Sequence, residues 1–266
     1  MATKTNSIVI IGVGNIASHL FSSFSQGKNT VVVQLFNHRK TKQATLLATK
    51  NNCLLVTDYS KLITTASTYF ICVKDDAINE VVSHLSKLDL KGLVVHCSGS
   101  IDIKELNKAS NNNGVYYPLQ SFSVNEVVDW KTTPILIEAN NAASLKTLKT
   151  MAQQSSSLVK VVDSATRLQL HLAAVFASNF TNALYAVALE LIEKKLTKKD
   201  TALLFPLMKQ SFNKMMKVSP IKAQTGPAKR GDHITMKKHL NLLSENPDLK
   251  KIYALLSQLI IKQQAI

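Results

Sequence analysis

Gly12, Gly14 and Ala17 stand in the run IVIIGVGNIASHLF with the spacing Gly-x-Gly-x-x-Ala, after an apolar β-rich stretch and before a helical one. That order of residue types suits one task, cradling a pyrophosphate. Gly12 permits a sharp turn off the strand, Gly14 lets the backbone approach the phosphates, and Ala17 lets helix and strand pack closely. Asn15, Ile16 and Ala17 then open a helix whose free N–H groups face the anion. Alone, such a spacing is weak and structural glycines often produce it. Its place between strand and helix makes it strong.

The end of the next apolar run narrows the ligand. Ribose hydroxyls are usually held by an Asp or Glu about 20 residues beyond the glycine motif. QLFNHRKTK (34–42) supplies Asn37, His38, Arg39 and Lys40 instead, and no acidic residue precedes Asp58. A guanidinium with basic neighbours suits a 2′-phosphate. Arg39 is one of 3 arginines against 29 lysines, which sets it apart from a lysine-rich solvated surface. NADP(H) is the expected cofactor, in preference to NAD(H).

Later strand ends should line the same cleft, because ligands in open α/β sheets bind beyond the carboxyl ends of the strands. ICVKDDAI places Val73, Lys74 and Asp75 there. For Asp75 and Asp76, capping the following helix explains the residues equally well. VVHCSGSI places Ser98, Gly99 and Ser100, a turn offering hydrogen bonds near a nicotinamide or a substrate, and YYPLQSF places Pro118, Gln120 and Ser121.

The most informative polar pattern lies on ATRLQLHLAAVFASNFTNALYAVALELIEKK. Arg167, His171, Ser178, Asn182 and Tyr185 share an arc of about 60° when each residue turns the helix by about 100°, and Asn179 lies just beside it. No lysine occurs between Lys160 and Lys194, so the stripe faces a ligand, the core or a subunit interface rather than bulk water. His171 is the candidate to give or take a proton, with Asn179 and Ser98 as hydrogen-bonding partners. Core packing is the competing explanation for a lone histidine on such a helix. QTGPAKRGDH (224–233) is a shaped loop whose Arg230 and Asp232 either pair with each other or reach a substrate.

These residues need a scaffold, and the first half supplies it. Ser7–Ile11, Thr30–Phe36, Tyr69–Val73 and Gly92–His96 are β-rich runs of strand length, with helical spacing over Asn15–Ser25 and Asp76–Ser86 between them. Strands alternating with helices imply a doubly wound parallel sheet, an α/β Rossmann domain. Ile135–Glu138 and Leu158–Val162 extend it around a helix at Ala142–Gln154, which sets the first domain at 1–162. From 163 to 266 no strand-like alternation remains. One helix of about eight turns is expected over 165–195, then helices at Lys199–Met216, Ile234–Ser244 and Asp248–Gln264, so the second domain is all-α.

Composition sets the outer bounds. With 266 residues, 45% hydrophobic and 18% charged, the chain is globular and long enough for two cores. Cys53, Cys72 and Cys97 form no CxxC and lie in apolar surroundings, which points to buried thiols in a reducing cytoplasm, with no disulfide and no metal site. The N-terminus lacks a signal peptide's apolar core. The net charge of +15 keeps nucleic acid in view, but the lysines are spread widely with few aromatics among them. The apolar stretch 168–192 has membrane-spanning length, yet Gln169, His171, Asn179, Asn182 and Glu190 argue for burial between helices or subunits.

Together, GVGNIA, FNHRK, VKDDAI, HCSGS, YYPLQSF, HLAAVFASNFTNAL and TGPAKRGD resemble a family of bacterial NADP oxidoreductases. The resemblance runs from Ile8 to about Leu243. It implies a Rossmann domain similar to those of deazaflavin-dependent NADP reductases and pyrroline-5-carboxylate reductase, followed by a helical domain of unknown function. It implies no substrate, and leaves open whether a deazaflavin takes part. The more distant β-hydroxyacid dehydrogenases use a lysine on the corresponding helix; this helix has His171 and Asn179 and no lysine, so their mechanism does not transfer directly.

The resulting expectation is a cytoplasmic, homodimeric NADP(H)-dependent oxidoreductase. It would pass hydride between nicotinamide and a small carbonyl or imine substrate, bound between the two domains. A sensor that binds NADP(H) without turnover is the alternative from another class, and a nucleic-acid binder is the weaker one.

Overall fold

The computed structural model describes residues 5–27, 29–123 and 126–264. Its strands are β1 (Asn6–Ile11), β2 (Thr30–Phe36), β3 (Leu54–Val56), β4 (Thr68–Ile71), β5 (Leu93–His96), β6 (Asn113–Pro118), β7 (Ile135–Ala139) and β8 (Val159–Val161). They form one sheet in the order β3-β2-β1-β4-β5-β6-β7-β8. Every pairing is parallel except that of β6 with β7. The order reverses between β1 and β4, which opens a crevice at their carboxyl ends. The expected α/β domain of Rossmann type is present.

The strands are apolar on both sides because helices cover both faces. Ile8 and Ile10 pack in one core with Leu20 and Phe24 of α1 (Asn15–Gln26), Ala48 of α2 (Lys42–Lys50) and Met151 of α4 (Ala142–Ser155). Val9 and Ile11 point the other way, against Ile78, Val81, Val82 and Leu85 of α3 (Ile78–Leu85).

Two features of the sheet were not anticipated. β3 has three residues, too few for a period to register. β7 runs antiparallel to β6; the described residues of the loop between them form no crossover helix, which a parallel pairing would require.

The long helix is continuous from Ser164 to Glu193. It is not uniform: α5 (Ser164–Ala174) passes into a π-helical segment, Val175–Phe180, before α6 (Thr181–Glu193). Strands end at Val161, while contacts divide the chain inside this helix, into Met1–Asn182 and Ala183–Ile266.

The second unit continues from α6 through a tight 3-10 stretch, Lys198–Leu204, into α7 (Phe205–Lys217), α8 (Pro220–Ala223), α9 (Pro227–Arg230), α10 (His233–Leu242) and α11 (Pro247–Gln264). The single helix expected at Lys199–Met216 is thus two elements, with Pro206 in the first turn of α7, where its missing N–H costs nothing. Nδ1 of His239 meets Oη of Tyr253 at 2.9 Å, tying α10 to α11. Among the described residues after Asn182, Ala228 is the only buried apolar one.

Candidate active site

The turn after β1 has the shape that its glycines suggest. Gly12 has φ +90°, and a Cβ there would lie 2.6 Å from Cγ1 of Val73 and 3.0 Å from the backbone of Cys72. Among the described residues, nothing lies within 4 Å of where a Cβ of Gly14 would be, and no side chain caps the α1 N-terminus that it begins. Open space in front of uncapped N–H groups fits a dinucleotide pyrophosphate. The side chain of Asn15 is used otherwise: its amide donates to the carbonyl of Phe122 at 3.0 Å, holding the loop after β6.

Asn37 occupies the place of the usual acid and is nearly buried. Its Oδ1 accepts from Val13 N–H at 3.1 Å, and its Nδ2 donates to the carbonyl of Arg39 at 2.8 Å. One amide thereby joins the glycine turn to the basic loop. His38, Arg39 and Lys40 are exposed beyond it. A cavity of about 190 Å³ lies beside this junction, lined by Gly12, Asn37, His38, Val73 and Tyr59 among others. Tyr59 lies 4.1 Å (ring centroids) from Phe36 and stacks on His84 at 4.3 Å.

The turn after β5 is self-supporting. Oγ of Ser98 accepts from the N–H groups of Ser100 at 3.0 Å and Ile101 at 3.1 Å. The Ser100 hydroxyl donates to Asp75 at 2.5 Å, so Asp75 ties two strand ends together and does not cap the next helix. Lys74 is exposed at the N-terminus of that short turn. Beneath lies His96, fully buried, whose Nδ1 accepts from Ser98 N–H at 3.2 Å. Burial first, then the nearby Arg167 charge, push its pKa down to about 3, against the opposing pull of Asp75 and Asp102.

His171 and Tyr117 form the pair that stands over this turn. Oη of Tyr117 and Nδ1 of His171 are 2.9 Å apart. Gly99 is what admits them: a Cβ there would fall 2.7 Å from Nδ1 of His171 and 2.9 Å from Cζ of Tyr117. Burial, and next the charge of Asp75, push the Tyr117 phenol up, with Arg167 opposing. The phenol therefore stays protonated and uncharged beside the imidazole.

Both side chains line a cavity of about 620 Å³ together with Ile16, Gln120, Ser178 and Asn179. The expected helical arc is only partly kept. Arg167 is 1% exposed and points into the protein, where its guanidinium pairs with Glu138 and donates to the carbonyl of Ile101 and the hydroxyl of Ser164. It anchors α5 and does not enter the cavity. The π-helical segment supplies a second reason. Its wider turns delay the rotation of each residue, so the extrapolation at about 100° per residue fails past Ala174. Asn179 comes onto the wall that His171 occupies.

The structure thus joins His171, Asn179 and Gln120 around one cavity, with Gly99 under the imidazole. Ser98 spends its oxygen on the turn, and Ser100 is bound to Asp75. Asp232 accepts from Thr235 N–H at 3.0 Å and its hydroxyl at 2.7 Å, capping α10, and is not paired with Arg230 through any ion pair among the described residues. Arg230 is exposed at the end of α9 in the second unit. Tyr117 was missed, although β-strand alternation carries the signal: with Tyr116 buried in the core, Tyr117 must face the other way. Tyr59 had no such signal, since only the stacking of three separate segments places it. Among the described residues, no cluster of His, Cys, Asp and Glu suited to a metal occurs.

Comparisons with known proteins agree with the fold. The family described as NADP oxidoreductase, coenzyme F420-dependent, matches residues 7–98, and a domain of unknown function, DUF2520, matches residues 133–260. The crystal structure of a "putative NADP oxidoreductase" from Bacteroides fragilis is 34% identical, covers 98% of this chain and 100% of its own, and superposes with a TM-score of 0.89. A Thermotoga maritima protein shares the fold at 22% identity and a TM-score of 0.79, over 97% of this chain and 100% of its own. So does an imine reductase from Myxococcus stipitatus, solved with NADP+, at 16% identity and 0.66, over 96% of this chain and 93% of its own. No curated protein matches the chain. With 34% identity to the Bacteroides protein over 98% of its length, and with the two family models matching residues 7–98 and 133–260, the chain belongs to that family of NADP oxidoreductases.

Proposed function

We propose that the chain uses NADP(H) to reduce a small carbonyl or imine, or in the reverse direction to oxidise the corresponding alcohol or amine, in the cavity beside His171. The observation that carries this reading is the His171–Tyr117 pair, seated on Gly99 and sharing its cavity with Ile16 from the first turn of the glycine-motif helix. Bound NADPH supplies a hydride from its nicotinamide ring. The backbone of Gly12, Gly14, Asn15, Ile16 and Ala17 holds the pyrophosphate, with Val73 closing the turn from behind. Arg39, aided by His38 and Lys40, holds the 2′-phosphate, and Asn37 keeps their loop against the glycine turn. Lys74, Asp75, Ser98 and Gly99, at the ends of β4 and β5, would hold the nicotinamide end of the cofactor.

His171 moves the proton. As an imidazolium it donates its Nδ1–H to the Tyr117 oxygen, which orients the ring, and presents Nε2–H to the cavity. Giving that proton to a carbonyl oxygen or imine nitrogen leaves a neutral imidazole still donating to Tyr117. Asn179 and Gln120 orient the substrate. Asp232 caps α10 and holds the loop that carries Arg230.

The working form is a homodimer in the cytoplasm. The helical unit buries almost no apolar side chain of its own, which calls for a second copy, and the three free cysteines suit a reducing compartment. Ser164–Glu193 is long and apolar enough to cross a membrane. Yet Arg167 and His171 bind its first half to the sheet unit, which favours a dimer over a membrane.

NADPH oxidation across a panel of ketones, aldehydes and imines tests the reading. His171→Ala should lower turnover by about 10²-fold or more while leaving NADPH affinity nearly unchanged; Tyr117→Phe should lower it less. Unaltered turnover in His171→Ala would remove the histidine from the chemistry. NADPH binding with no oxidation across the panel would favour a sensor.

A further inference from the structure

We infer that the His171 cavity takes an uncharged substrate, a ketone, aldehyde or imine bearing no carboxylate or phosphate. The inference rests on the proposed reading of this cavity as the place of reduction, and it concerns the chemistry of the cavity walls.

Among the described residues lining the cavity there is no Lys, Arg, Asp or Glu. In this chain that is not a default, because 32 of 266 residues are basic. One wall is built from Leu170, Ala173, Ala174, Val175 and Ala177, whose small side chains leave room for an apolar body. The polar groups opposite and beside it, Gln120, Ser178 and Asn179 among them, are neutral and suit a carbonyl, hydroxyl or amide. The nearest guanidinium along the helix is Arg167, one turn before His171. It is buried and engaged by Glu138, the Ile101 carbonyl and Ser164, so its charge is already answered and its side chain cannot swing to the cavity.

A carboxylate brought into such a space would lose its hydration and meet no counter-charge but the His171 imidazolium. That group is committed to the carbonyl or imine and gives its proton away in the reaction, so the ion would be left unpaired, at a large penalty. A neutral compound of the same shape meets no such penalty. The cavity therefore selects by exclusion: the amide and hydroxyl groups hold a neutral polar end, and the lack of a Lys or Arg charge rejects an anionic one.

Matched pairs test this: cyclohexanone against a cyclohexanone bearing a ring carboxylate, and pyrroline against pyrroline carboxylate, each with NADPH and the full-length protein. The neutral member should show kcat/KM at least about 10-fold higher. Ala174→Lys, which puts an ammonium on the apolar wall, should swing the preference toward the carboxylate by about 10-fold or more, and Ala177→Lys serves if the first variant does not fold. A wild-type preference for the carboxylate, or no preference, overturns the inference and leaves the proposed reduction standing. If neither member of any pair is reduced, it is the proposed reduction that fails, and binding then decides the inference. Thermal shifts with NADP+ and the matched neutral and carboxylate alcohols should show stabilisation by the neutral one alone; equal or reversed shifts, or none, overturn it.

Discussion

Arg39 is the residue on which cofactor choice turns. Its loop is held to the glycine turn by Asn37, so the guanidinium starts from a positioned backbone. A hydrogen bond to a charged group contributes about 1.5–3 kcal/mol, and about 1.4 kcal/mol is tenfold in affinity. Arg39→Ala should weaken NADPH binding by about 10- to 100-fold and leave NADH nearly unchanged, as paired fluorescence titrations would read. Equal wild-type affinity for both cofactors would show that the basic loop does not meet a phosphate. His96 carries a different prediction. Its pKa is pushed down to about 3 from an ordinary 6.5, so the folded protein keeps the ring neutral while the unfolded chain takes up a proton. Stability is therefore full above pH 6.5 and declines as pH falls toward 3, by about 1.4 kcal/mol per pH unit at most. Urea melts of His96→Gln should start lower at neutral pH but fall less steeply across that window. An unchanged slope would assign the acid sensitivity to other groups.

The long helix is the element that joins structure to chemistry. Arg167 pins its first turns to the sheet, and His171 sits one turn later over Gly99. Removing one partner of a buried ion pair costs about 3–5 kcal/mol, because the other charge is left without compensation. Arg167→Ala should lower stability by that order in denaturant melts; a loss below about 1 kcal/mol would mean that Glu138 finds water instead. Gly99→Ala probes the same docking from the other side. The added methyl would fall 2.7 Å from the imidazole, so the helix or the turn must give way. Turnover should drop at least about tenfold, and by more than NADPH affinity, since the added methyl meets the proton carrier first. If affinity fell as much as turnover, the turn would be serving the cofactor rather than the histidine.

At the scale of the whole molecule, the exposed apolar surface demands an explanation. Phe176 is 61% exposed, Leu207 63%, Met216 69% and Leu255 65%, and no residue in the apolar 18-residue window of the long helix is fully buried. At about 25 cal/mol per Å² of apolar surface, leaving such side chains in water forfeits the burial that a helical unit of this size needs. Light scattering at micromolar concentration should give twice the chain mass, and Phe176→Glu with Leu184→Glu should yield monomers of lower melting temperature. A stable wild-type monomer would sink the dimer.

Sequence alone determined the parts whose signals are local. A continuous apolar run in β1, a helical period in α1 and α3, and glycines at 12 and 14 each depend on near neighbours, so the nucleotide domain and its basic strand end were legible. The all-α character after Val161 was legible for the same reason. Other features depended on residues distant in the chain. Whether Ser98 offers its hydroxyl or spends it depends on Ser100 and Ile101 in a turn of one particular shape. Whether Asp75 caps a helix or binds Ser100 depends on two strand ends meeting. The π-helical segment changed which side chains share a face with His171, and no composition marks where a helix widens. Tyr117 became the partner of His171 only because Gly99, on a third segment, has no side chain to keep them apart. Local periodicity decided the elements; the close approach of a strand end, a glycine turn and a helix decided the site.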